Sequence, residues 1–106
     1  MTARRVVAYV PDLMDRSRLA AVAGIELTVV RSPDQLAEAA RAADLVVVDL
    51  SRPGVLDALA AGLGAPVVGF ASHVDRDLLA AAAAAGCPDP LPRSRFFGHV
   101  AEILGG

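Results

Sequence analysis

The residues best suited to chemistry fall at the ends of apolar runs. Asp12 follows Val6-Val7-Ala8-Tyr9-Val10 after one proline, and Asp49 closes Leu45-Val46-Val47-Val48. Val67-Val68-Gly69-Phe70 leads into Ala71-Ser72-His73, and Leu91 leads into Pro92-Arg93-Ser94. Paired carboxylates such as Asp12 and Asp49 can hold Mg²⁺, which takes a few protein carboxylates and keeps several waters. A cation there would favour a phosphoryl group or another anion, with Arg93 as a second positive charge. Each residue also has a structural reading. Asp49 can cap the turn after its strand, and Asp12 can cap a helix. Asp15 suits a first-turn acid aligned with the helix dipole, and Arg93 suits a solvated or ion-paired surface position.

Other chemistries find little support. All 10 basic residues are arginine, so a Schiff-base lysine and a P-loop are both ruled out. His73 and His99 have no neighbouring Cys, Asp or His that would make a zinc site. Gly62, Gly64 and Gly69 do not form a dinucleotide fingerprint. Cys87 reads as a small buried residue rather than a reactive thiol. No nucleophile–base pair is visible, so a metabolic enzyme is not expected. A net charge of −2 with both signs spread along the chain gives no footprint for nucleic acid. No apolar run approaches a membrane span and no signal-peptide pattern opens the chain, so a cytoplasmic protein is expected.

The elements that must position these residues can be read from the pattern. The 106 residues suit a single domain, residues 1–106. Strands are expected at Val6–Val10, Ile25–Val30, Leu45–Val48, Val67–Phe70 and Cys87–Leu91. Helices are expected at Leu13–Ala23, Pro33–Ala43, Gly54–Ala61, Asp75–Ala85 and Arg95–Leu104. Regular alternation of this kind predicts βαβ units, a parallel sheet and helices on both faces. Ser32-Pro33-Asp34-Gln35 carries a capping box with proline at the first helical position. Asp12, Asp75 and Ser94 are the expected caps of the first, fourth and fifth helices. Gly24, Gly62, Gly86 and Gly105 stand where helices should stop. The alanines at 80–85 suit a close-packed helix.

Strand chemistry suggests the order. The first, third and fourth runs are continuously apolar, as strands buried on both faces should be. Ile25-Glu26-Leu27-Thr28-Val29 alternates, which suits an edge. Pro88, Pro90 and Pro92 fall at every second position, so all the missing N–H donors lie on one side and the fifth strand must be the other edge. The order 2-1-3-4-5 follows. That is a flavodoxin-like (βα)5 doubly wound α/β sandwich, whose crevice opens at the C-terminal ends of strands 1 and 3.

With the crevice placed there, a resemblance becomes specific. Asp49-Leu50-Ser51-Arg52-Pro53-Gly54 resembles the D-L-x-x-P-G phosphoacceptor segment of bacterial response-regulator receiver (CheY-like) domains. Pro66-Val67-Val68-Gly69-Phe70-Ala71-Ser72-His73 resembles their fourth strand and switch residue. Ala84-Ala85-Gly86-Cys87-Pro88-Asp89-Pro90-Leu91-Pro92-Arg93 resembles their A-A-G-A-x-x-Y-L-P-K run. The resemblance implies Asp49 as phosphoacceptor, Asp12 as a Mg²⁺ ligand and the Ser51 carbonyl as a further metal contact. It implies partner or homodimer contacts on the face of helix 4, strand 5 and helix 5, where Phe97 and Leu104 add apolar surface beyond a core stripe.

The departures are grouped. Pro11 replaces the first of two adjacent acids, and Ala71 stands at the switch hydroxyl. Arg93 stands for the lysine, Ser94 for the proline after it, and Pro90 for the switch aromatic. Arginine is not equivalent to a compact ammonium at a phosphate. Ser72, one residue beyond Ala71, is the available substitute hydroxyl, and with Arg93 it would bind an anion. The expectation is a stand-alone degenerate receiver that works as a protein-interaction module in bacterial signalling. The alternatives are a working phospho-receiver using Asp49, Asp12 and Mg²⁺, and a flavodoxin-like domain that binds a small anion.

Overall fold

Aliphatic runs pair in parallel and leave both sheet faces to be covered. The computed structural model describes residues 3–105. Strands β1 (Arg4–Tyr9), β2 (Ile25–Val29), β3 (Leu45–Asp49), β4 (Val67–Ala71) and β5 (Leu91–Pro92) form one sheet in the order β2-β1-β3-β4-β5. All pairings are parallel, with Val6 opposite both Leu27 and Leu45, and Phe70 opposite Asp49 and Leu91. The expected fold class and strand order are both present.

Side chains alternate between two cores. Val6, Ala8, Val10, Val47 and Phe70 point to one face, where Leu19, Phe96 and Leu104 cover them. Val7, Tyr9, Val46 and Val48 point to the other, beneath Leu36, Leu59 and Ala82. The helices follow that division. Helix α1 (Leu13–Ala20), α5 (Arg93–Gly98) and α6 (Val100–Gly105) pack on the first face. Helix α2 (Leu36–Ala40), α3 (Val55–Ala60) and α4 (Arg76–Ala85) pack on the second. Arg4 ties the chain ends together, donating from one guanidinium nitrogen to the Ile103 and Leu104 carbonyls at 3.1 and 3.2 Å, where a helix end favours a cation.

Capping chemistry places the helix starts. Asp12 accepts from the Asp15 N–H at 3.0 Å and Asp75 from the Leu78 N–H at 3.4 Å. Gln35 reaches back to the Arg31 and Ser32 N–H groups at 2.7 and 3.3 Å. The segment it caps is a 3₁₀ turn, Pro33–Gln35, that runs into α2, so the helix expected over Pro33–Ala43 is shorter. Helix α1 also stops at Ala20 rather than Ala23.

Three expectations are corrected at the C-terminal end. Strand β5 spans Leu91–Pro92, not Cys87–Leu91, so Pro88 and Pro90 precede the strand and only Pro92 lies within it. The edge position holds, but the alternating-proline argument for it does not, because β4 offers pairing only at Phe70 and Ala71. The last helix begins at Arg93 behind Pro92, so Ser94 is not its cap. It is also broken: His99, at φ −127°, ends α5 and separates it from α6. That break turns Leu104 fully inward, while Phe97 packs edge-on against Phe70 and Phe96 at 5.1 and 4.9 Å. Neither residue is surplus surface. The large exposed apolar side chains among the described residues are instead Leu13, Met14, Val74 and, marginally, Val29. Gly24, Gly62 and Gly86 have positive φ as expected, whereas Gly105 is simply the last helical residue.

Gly69 has a steric role. A Cβ there would lie 2.6 Å from Leu50 Cδ2 and 2.7 Å from Cγ, and Leu50 is itself buried. Gly69→Ala should therefore cost about 1–3 kcal/mol by overpacking, and shortening Leu50 to Val in the same chain should recover part of it. Gly98 has open space around its Cα and no positive φ, so Gly98→Ala should stabilise by about 0.5–1 kcal/mol. Urea unfolding midpoints check both.

Candidate functional site

The crevice lies where β1, β3 and β4 end. Asp49 is the last residue of β3 and is only 5% exposed. The chain turns sharply after it, and Asp49 organises that turn. Its Oδ1 accepts from the Ser51 N–H at 3.0 Å and from the Ser51 hydroxyl at 2.6 Å. Its Oδ2 accepts from Arg52 Nε at 3.3 Å. Both carboxylate oxygens thus have protein donors within three residues in sequence.

Arg93 shows the same self-sufficiency. It opens α5 beside the sheet end, and its guanidinium forms a hydrogen-bonded ion pair with Asp15 on α1. The Asp15 side chain is 3% exposed and that of Arg93 is 45% exposed. The guanidinium also lies over the rings of Phe70 and Phe97, at 5.6 and 5.1 Å from their centroids, a favourable cation–π placement. The hydrogen bond to Asp15 raises the Arg93 pKa above its already high ordinary value, and the charges of Asp15, Asp49 and Asp12 add to the effect. Arg93 therefore stays charged throughout the ordinary pH range.

Asp12 sits at the rim as the cap of α1. The backbone N–H of Asp15 holds its pKa below the ordinary 3.8; Arg93 and Arg52 lower it further through charge. The sequence reading thus placed Asp12, Asp49 and Arg93 in one electrostatic neighbourhood, and they share one. Ser72 and Arg93 line a common cleft of about 480 Å³ with Arg18, His73, Ser94 and Phe97. Ala71 is buried opposite Pro92 and offers no hydroxyl.

Sequence reasoning missed Asp15 and Arg52. Asp15 had been given the role of a dipole acid, yet it lies four residues before Leu19, on the core-facing stripe of α1. A carboxylate on that stripe needs a buried partner, and this was the available signal. Arg52 lay inside the recognised segment without a role.

Near-octahedral oxygen ligation of Mg²⁺ needs free carboxylate lone pairs. Here the Asp49 oxygens are engaged by Ser51 and Arg52, and the Asp12 Oδ1 by a backbone N–H. Among the described residues no group of three or more His, Cys, Asp or Glu side chains could hold a metal ion. Asp49 Oδ2 has a single donor, at 3.3 Å, and Asp12 is exposed, so the two carboxylates would fit Mg²⁺ with waters as its other ligands, in competition with Arg52.

No family model and no curated protein sequence matches the chain. Solved structures do match over nearly its whole length. A response regulator from Hahella chejuensis superposes with a TM-score of 0.80 at 20% identity, covering 96% of this chain and 92% of its own. A chemotaxis response regulator of Vibrio cholerae gives 0.75 at 14% identity, covering 97% and 99%. The receiver domain of a sensor histidine kinase from Pseudomonas aeruginosa gives 0.74 at 15%, covering 97% and 95%; that structure has magnesium coordinated in its active site cleft. The chain has the fold of response-regulator receiver domains.

Removing the two members of the ion pair should have unequal effects. Arg93→Met strands a buried carboxylate and should cost about 3 kcal/mol or more. Asp15→Asn leaves a half-exposed guanidinium that water can solvate and should cost about 1–2 kcal/mol. Urea unfolding of both variants and the double mutant measures the asymmetry. Because the folded-state pKa of Asp12 is lowered, its contribution is present above its unfolded pKa and lost as pH falls through the lower folded value. Asp12→Ala should be less stable than the wild type at neutral pH, and the difference should shrink as pH falls through the lowered folded-state value.

Proposed function

We propose that this chain is a degenerate receiver: a signalling module that binds a partner protein without being switched by phosphorylation. Fold alone does not assign a function, so the reading rests on the site. The observation that carries it is the Asp15–Arg93 ion pair. In a receiver crevice the positive charge on this loop must be free to meet a phosphoryl group, since catalysis of phosphoryl transfer is mainly positioning and charge stabilisation. Here a buried carboxylate already occupies that role permanently.

Three further features support it. Asp49 has donors on both oxygens, which lowers its availability as a nucleophile. Ala71 provides no hydroxyl to draw the fourth loop inward. Pro90 lies ahead of β5, so no aromatic side chain there can change rotamer in response. The proposed function does not require Mg²⁺. The partner surface is better sought at the crevice rim than on α4 and α5. Leu13, Met14 and Val74 are 71–73% exposed there, the first two opening α1 and the third on the β4–α4 connection. Among the described residues no helix is long and apolar enough to cross a membrane; a cytoplasmic location is part of the proposal.

An amide NMR titration with millimolar Mg²⁺ and then beryllofluoride tests the reading, run on the wild type and on Asp49→Ala. The expected result is no saturable shift at Asp12, Asp49, Ser51 or Ser72. Saturable shifts that vanish in Asp49→Ala would replace this reading with a working phospho-receiver. Shifts centred on Ser72 and Arg93 that persist in Asp49→Ala would replace it with a small-anion-binding domain.

A further inference from the structure

A second cleft opens on the other side of β1 from the crevice, between the β1–α1 and β2–α2 connections. It has a volume of about 390 Å³ and is lined by Tyr9, Pro11, Arg16, Val29, Val30 and Arg31. That size suits a small ligand, and the cleft opens at the carboxyl ends of β1 and β2, beside the switch point rather than at it.

Its electrostatics are unbalanced. Two guanidiniums line it and no carboxylate does. Among the described residues neither Arg16 nor Arg31 forms an ion pair. The nearby Asp12 is committed elsewhere: it caps α1 and is felt by Arg93 and Arg52. Glu38 lies in the adjoining groove with Arg31 but makes no bridge to it. Arg16 Nε is buried and has no hydrogen-bond partner. A buried donor of this kind is uncommon and calls for an acceptor. The surrounding backbone is already set: the Val30 N–H donates to Ala8 O at 2.9 Å, and the Arg31 N–H to Gln35 Oε1 at 2.7 Å.

We propose that this cleft binds a compact phosphomonoester. Two guanidinium forks match an anion with several oxygens, which arginine recognises better than a point charge would. The Arg16 guanidinium donates to one phosphate oxygen and the Arg31 guanidinium to another. Pro11, Val29 and Val30 supply apolar wall for a small organic body. The proposal stands apart from the signalling function and does not use Asp49, Ser72 or Arg93.

The test is an NMR titration of the full chain that follows backbone amides and arginine Nε–H signals, at constant ionic strength. The probes are inorganic phosphate and, separately, phenyl phosphate. The expected result is a saturable downfield shift of the Arg16 Nε–H, with amide shifts confined to Tyr9, Arg16 and Val29–Arg31. Arg31 is exposed, so Arg31→Gln should fold normally and weaken binding by about tenfold. Tighter binding of phenyl phosphate than of inorganic phosphate supports the phosphomonoester, and equal binding of the two would overturn it in favour of a free-phosphate site. No saturable change at Arg16 with either probe would overturn the proposal. So would a response undiminished in Arg31→Gln, or one located at Ser72 and Arg93. Because beryllofluoride reports on Asp49 and these probes on Arg16, failure here is distinguishable from failure of the proposed function.

Discussion

A parallel sheet must be covered on both faces, and in this chain that requirement governs where polar chemistry can go. Val6, Ala8, Val46, Val47 and Val48 are all at 5% exposure or less, so the strand interiors admit nothing ionisable. Polar groups collect where the strands end, because there the backbone turns and the low-dielectric interior meets water. Asp49 and Asp15, the buried charged residues of the described chain, both sit at that boundary. Neither can remain unpaired at such burial, so each needs a donor close at hand.

How those needs are met decides what the crevice does. Asp49 takes its donors from the turn that follows it, Ser51 and Arg52, and becomes the organiser of the β3–α3 connection. Asp15 takes Arg93 from across the domain, joining α1 to α5 over the rings of Phe70 and Phe97. The same contact that secures two helices engages a cation that also lines the crevice. On the proposed reading, structural satisfaction and phosphate sensing compete for that one guanidinium. An arginine suits this role better than a lysine, since its planar fork can pair with a carboxylate and lie over aromatic rings together.

The fold was largely legible because each element carried its own signal. Continuous valine runs marked the central strands, the alternation at Ile25–Val29 marked an edge, and Asp12, Asp75 and Ser32-Pro33-Asp34-Gln35 marked helix starts. The errors fell where local signals were weak or competed. Pro88 and Pro90 suggested a strand, but a strand needs a partner, and β4 ends one residue past Phe70. The apolar residues of the last helix suggested one amphipathic stretch with surface to spare. Gly98 lowers the cost of a break, and turning α6 at His99 buries Leu104.

The sequence by itself determined the class of fold, the strand order, the position of the crevice and the identity of most groups around it. Those follow from hydrophobic period, capping and local motif, which act over a few residues and can be read along the chain. Pairing was decided only by the tertiary structure. Asp15 and Arg93 are 78 residues apart, and which carboxylate would claim the guanidinium depended on α1 and α5 packing on the same face. Likewise, Arg16 and Arg31 look like ordinary surface residues until β1 and β2 bring their connections together. Charge acts through distance in space, and only the folded sheet sets those distances.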